Sequence, residues 1–107
     1  MKYIKKFENN EDILNIKKYV LWKMKTCIII LEVNSIDEHF VHMTRLYKYY
    51  NDPSEYDYNR VTRIDKQKYE FSYSEVREHA IYSSDNLDDC LDLDLLAASF
   101  IANKYNI

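Results

Sequence analysis

The sequence predicts an α+β domain: a small, mostly antiparallel β-barrel or strongly bent sheet closed by a C-terminal α-helix. Three observations carry this. Between Lys18 and Tyr50, β-branched and aromatic residues run in short alternating stretches, the pattern of half-buried strands. A second alternating stretch follows a proline-containing break, with Tyr69, Phe71 and Tyr73 on one side and Glu70, Ser72 and Ser74 on the other. From Leu87 onward the apolar residues switch to steps of three and four, which is helix spacing. A chain of 107 residues has room for one core, so residues 1–107 read as a single domain.

Taken in order, Tyr3, Ile4, Phe7, Ile13, Leu14 and Ile16 fit a short strand followed by a helical turn around Glu11–Asn15. Tyr19–Trp22 and Thr26–Val33 read as strands joined by a hairpin at Lys23-Met24-Lys25, and Asn34-Ser35-Ile36-Asp37 as a turn without glycine. Glu38–Tyr50 reads as one long strand, with Phe40, His42, Thr44 and Leu46 on one face and Val41, Met43, Arg45, Tyr47 and Tyr49 on the other. Asn51-Asp52-Pro53-Ser54 ends it, and the loop runs to about Asn59. Val61 and Ile64 belong to a further strand, Ser74–Glu78 to a single helical turn, and His79–Tyr82 to a short closing strand. The last helix is expected over Leu87–Asn103, capped by Ser84 or Asp85 and ended by Asn103 or Asn106. Its apolar stripe is Leu87, Leu91, Leu95, Ala98, Ala102 and Tyr105.

Composition narrows the function classes. There is no glycine, where average usage of roughly 7% would give about seven. A P-loop, a dinucleotide fingerprint and a nucleophile elbow all require glycine for close backbone approach, so all three are excluded. Positions of positive φ must fall to Asn or Asp. Lys, Ile, Tyr and Asn, all with AT-rich codons, make up 42 residues and point to a low-GC bacterium, its phage or mobile element, or a large DNA virus. Residues 1–50 hold nine Lys and Arg against six Asp and Glu, whereas residues 51–107 hold six against twelve. An overall charge of −3 argues against a dedicated polyanion binder. Cys27 and Cys90 have no ligand or disulfide spacing, and the basic N-terminus lacks the apolar stretch of a secretory signal. The run Cys27–Leu31 is too short to span a bilayer. The expectation is a soluble protein of the cytoplasm, in the host cell if virus- or phage-encoded, with no membrane contact.

The opening Met1-Lys2-Tyr3-Ile4-Lys5-Lys6-Phe7-Glu8 and the ending Ser99–Ile107 resemble a loose set of short uncharacterised proteins from AT-rich phages, giant viruses and bacteria. In that set the middle of the chain is an SH3-like barrel and the end a helix. The corresponding strands here would be Lys18–Trp22, Thr26–Val33, Glu38–Tyr50 and Tyr69–Tyr82. The set usually keeps a Gly-Asp before the first strand, where this chain has Ile16-Lys17-Lys18. The resemblance implies an SH3-like fold and brings no activity with it.

No constellation assembles a catalytic or metal site. His39 and His42, three apart on a strand, point to opposite faces, and His79 stands beside Glu75 and Glu78 alone. Cys27 lies in an apolar strand, and Cys90 sits between Asp89 and Asp92, which disfavour a thiolate. Asp85, Asp88, Asp89 and Asp92 would share one face of the last helix, either as a solvated face or as a mimic of nucleic-acid phosphates. The strongest candidate is a partner-binding segment made of Tyr47, Tyr49, Tyr50, Asp52, Glu55, Tyr56, Asp57 and Tyr58. Tyrosines give contact area at low entropy cost, and carboxylates beside them complement a basic partner; codon bias and tyrosines half-buried on a sheet explain the same residues without a partner. The competing candidate is Arg60, Arg63, Lys66 and Lys68 next to Tyr69 and Phe71, a basic and aromatic surface suited to single-stranded nucleic acid. The expected function is therefore a non-enzymatic protein-binding module without cofactor or metal. In its sharpest form it is a phage or mobile-element accessory protein that inhibits a host defence nuclease, anti-CRISPR-like, by occupying a basic surface. The alternative is a small nucleic-acid-binding SH3-like module. An exposed edge strand or the apolar side of the last helix could also pair two copies.

Overall fold

A computed structural model describes residues 7, 9–51, 53–54 and 58–105, the last five of these by backbone alone. The centre is a meander. β1 (Tyr19–Lys23) pairs antiparallel with β2 (Cys27–Ile36), and β2 pairs antiparallel with β3 (Phe40–Tyr50). The first hairpin closes at the expected Lys23–Lys25 step, with the Met24 N–H donating to the Cys27 carbonyl at 2.8 Å. The second turn lies later than expected. Asn34, Ser35 and Ile36 remain in β2, and the reversal is made by Asp37, whose Oδ1 accepts from the N–H groups of His39 and Phe40 at 2.9 and 2.8 Å. A carboxylate that closes two backbone donors fixes a turn more firmly than Asn-Ser does.

β4 (Val61–Arg63) and β5 (Lys68–Ser72) both pair antiparallel with the outer edge of β3, β4 opposite Tyr47–Tyr49 and β5 opposite Phe40–Thr44. β6 (Ala80–Ser84) pairs antiparallel with β1 on the far side. The order is β4-β3-β2-β1-β6, with β5 beside β4 on β3. The sheet is open, because no pairing among the described residues joins β6 to β4 or β5. The fold class is thus α+β with a mostly antiparallel sheet, and the alternative of a closed barrel is not adopted.

Both faces of the sheet are packed. On one, Val20, Trp22, Leu31, Val41 and Met43 meet Phe7, Ile13 of α1 (Asn10–Leu14) and Val76 of α2 (Tyr73–His79). On the other, Leu21, Ile28, Ile30, Tyr49 and Ile81 meet Cys90 of α3 (Leu87–Cys90) and Leu96 of α4 (Leu93–Tyr105). Each fully buried aliphatic side chain contributes about 1.5–3 kcal/mol of transfer free energy. β3 serves both cores because of a bulge. Ile30 lies opposite Tyr47 and Leu31 opposite Arg45, so Leu46 is an extra residue that swaps the faces of the strand. The expected single face Val41–Tyr49 is therefore split, Val41 and Met43 facing one core and Tyr47 and Tyr49 the other.

The C-terminal helix also departs from expectation. It is two helices, broken at Leu91–Asp92. Asn86, and not Ser84 or Asp85, caps α3 by accepting from the Asp88 N–H at 3.0 Å. Asp92 accepts from the Leu95 N–H at 3.1 Å at the start of α4. Asp and Asn offer backbone donors an alternative to the helix interior, so a chain rich in them breaks at the best cap. The break resets the register: Leu96 and Ser99 are buried and Ala98 is exposed, where the unbroken stripe placed Ala98 inward. Asn103 lies within α4 rather than at its end. The two smaller helices follow the expected turns, and α1 and α2 each carry a full capping box, at Asn9–Asp12 and Ser72–Glu75. No helix among the described residues is long and apolar enough to cross a membrane.

Candidate functional site

The tyrosine segment leaves β3 at Tyr50 and returns to it at Tyr58. Tyr50 and Tyr58 form an isolated parallel bridge, and the Asn59 N–H donates to the Tyr50 carbonyl at 2.9 Å. The neck so formed is stapled from inside. The Tyr49 hydroxyl accepts from Asn51 Nδ2 at 2.8 Å and donates to Asn59 Oδ1 at 3.0 Å, tying both ends of the loop to one core side chain. Asn59 adopts a φ of 54°, the non-glycine residue that takes left-handed backbone here, as the missing glycine required.

Of the predicted contact residues, Tyr49 is a correction. Its ring is wholly enclosed in the second core, because the Leu46 bulge turns it inward, so it positions the loop and offers no exposed surface. Tyr47 is half-buried against the same core. Tyr50 is half-buried, with Lys48 Nζ 4.8 Å from its ring centre, and Tyr58 is exposed. Asp52, Glu55, Tyr56 and Asp57 lie outside the described residues.

The basic candidates line the adjoining edge. Arg60, Arg63, Lys66 and Lys68 are all exposed, and none makes an ion pair among the described residues. The connection between β4 and β5 is held by Arg45, whose backbone N–H donates to the Gln67 carbonyl and whose Nε donates to the Asp65 carbonyl, both at 3.0 Å. The aromatic residues beside them are turned to internal packing. Tyr69 stacks on Phe71 at 5.5 Å, Phe71 on Trp22 at 4.1 Å, and Trp22 on His79 at 5.2 Å, with Trp22 buried in the first core.

A third cluster was not legible in the sequence. Beyond the α3–α4 cover, Ser35 of β2, His42 of β3 and Glu70 of β5 form a cross-strand row. It lines a half-open cleft of about 460 Å³ together with Asn34, Met43, Lys68 and Tyr69. His42 Nε2 is 2.7 Å from Asp37 Oδ2, and its Nδ1 is 3.6 Å from Glu70 Oε1. The His42 hydrogen bond, with the amides of His39 and Phe40, lowers Asp37 from the usual carboxylate range to about 2. The two carboxylates sit on different ring nitrogens and cannot share a metal with it, and no three such side chains converge among the described residues. His39 lies in the exposed turn. Spacing could not reveal the row, because Glu70 is brought to His42 only by strand pairing.

Both cysteines are buried. Burial pushes the Cys27 thiol up, against the opposing pull of Lys48 and Lys23. Cys27 thus behaves as a small core residue.

Comparison with protein-family models, curated proteins and solved structures gives no match to this chain.

Proposed function

We propose that this protein is a non-enzymatic binding module that occupies another protein's surface through the loop after β3. The contact residues reduce to Tyr50, Tyr58 and the intervening Asp52, Glu55, Tyr56 and Asp57. The observation that supports this reading is the stapled neck: a core tyrosine holds both ends of a loop rich in tyrosine and carboxylate. A loop whose ends are fixed in advance loses less conformational entropy on docking, and its tyrosines supply contact area with few rotatable bonds. The carboxylates call for a basic partner surface. The sharpest form is a phage or mobile-element inhibitor of a host defence nuclease, anti-CRISPR-like, acting in the host cytoplasm on a groove meant for nucleic acid. An SH3-like character of the open sheet belongs to this reading, since such sheets present loops and edges to partners.

The test is capture from host lysate, with and without nuclease treatment, by the wild-type chain and by the triple variant Asp52→Lys, Glu55→Lys, Asp57→Lys. A protein retained after nuclease and lost with the variant supports the reading. Equal retention by the variant refutes it.

One observation favours a second reading. Arg60, Arg63, Lys66 and Lys68 form an exposed strip with no ion pair among the described residues, suited to the phosphates of single-stranded nucleic acid. Such binding falls steeply with salt, so band shifts with single-stranded RNA and DNA at two salt concentrations test it. No shift at low salt removes it.

A further inference from the structure

We infer that His42 is a proton-operated clasp that fastens edge strand β5 to the turn between β2 and β3. The geometry dictates the proton positions. Asp37 Oδ1 is occupied by two backbone amides and its Oδ2 lies 2.7 Å from His42 Nε2. An ionised carboxylate only accepts, so the neutral ring carries its proton on Nε2. Nδ1 then presents a lone pair to Glu70 Oε1 at 3.6 Å, an acceptor facing an acceptor. Uptake of one proton converts Nδ1 into a donor, and the imidazolium bridges both carboxylates. Asp37 belongs to the turn and Glu70 to β5, so the closed clasp adds a charged link between two segments already joined by the β3–β5 pairing and by the Tyr73 hydroxyl, which donates to the Asp37 carbonyl.

The surroundings contain little else that competes. From β5, Lys68 and Tyr69 line the same cleft, and Lys68 is the one cation among the described residues that lines it. From β2, only the uncharged Asn34 and Ser35 face it, and the Asn34 oxygen is taken by the Thr44 hydroxyl at 2.7 Å. β5 lies at the sheet margin and ends the basic strip at Lys68. Acidification therefore tightens this edge, whereas proton uptake by most proteins loosens them.

The test combines two readouts on the full chain. Nitrogen NMR of the labelled imidazole should show the neutral ring as the Nε2–H tautomer. Amide hydrogen exchange, corrected for its intrinsic pH dependence, should slow in β5 as the ring-nitrogen shifts report proton uptake by His42, by up to about fivefold, the upper range for an exposed ion pair. β1 amides should not follow. Glu70→Ala removes the acceptor from an exposed site without touching the core, and His42→Gln removes the proton site; both should abolish the β5 response. An Nδ1–H tautomer, a β5 response that persists in Glu70→Ala, or no response in the wild type overturns the clasp.

Discussion

Replacing Tyr49 by Phe removes one oxygen from the neck of the loop and leaves the buried ring in place. That oxygen accepts from Asn51 at 2.8 Å and donates to Asn59 at 3.0 Å, and both partners are half-buried or exposed. Each hydrogen bond is worth about 0.5–1.5 kcal/mol net, and the freed amides can turn to water, so the loss should be about 1–2 kcal/mol. Each kcal/mol corresponds to roughly 4–8 °C of Tm in a domain of this size. Truncation to Ala adds a cavity in the second core and should cost about 3–5 kcal/mol. Urea unfolding gives the stability, and limited proteolysis of the folded protein reports on the loop. Tyr49→Phe should speed cleavage between residues 51 and 59 while cleavage elsewhere keeps its rate. A variant within about 0.3 kcal/mol of wild type, well under a single hydrogen bond, with unchanged loop cleavage, would show that the hydroxyl is no staple.

Other sites in the same fold carry expectations of their own. Asn59→Ala should destabilise more than Asn59→Gly by about 1 kcal/mol in urea midpoints, because both lose the bond to Tyr49 and only Ala strains at a φ of 54°. Leu96→Ala, at a fully buried site, should cost about 2–5 kcal/mol. Ala98→Glu, on the exposed side of α4, should stay within about 0.5 kcal/mol, and the reverse ranking would restore the unbroken helix. The Ser99 hydroxyl is buried with no partner among the described residues, so Ser99→Ala should be neutral or stabilise by up to about 1 kcal/mol. Asp37 falls from 3.8 to about 2 on folding, chiefly through His42, so its contribution is complete above pH 3.8 and fades as pH falls towards 2. Asp37→Asn should flatten that part of the acid limb in urea midpoints measured from pH 5 to 2.

Legible in the sequence were the α+β class with a mostly antiparallel sheet, the hairpin at Lys23–Lys25, the end of β3 near Asn51 and the need for Asn at a left-handed position, realised at Asn59; that the sheet stays open was not. These are local matters of residue preference, two-residue periodicity and turn chemistry, and they survive whatever the chain packs against. Tertiary structure decided the rest. The bulge at Leu46 sent Tyr49 into the core, because two sheet faces had to be filled and one strand had to supply both. Asp92 broke the last helix, because a cap inside an acidic run placed Leu96 in the core that holds Leu21 and Ile30. The row Ser35–His42–Glu70 exists only through strand pairing across 28 residues of sequence from His42 to Glu70. Periodicity records which residues alternate, whereas a single inserted residue decides which way they face.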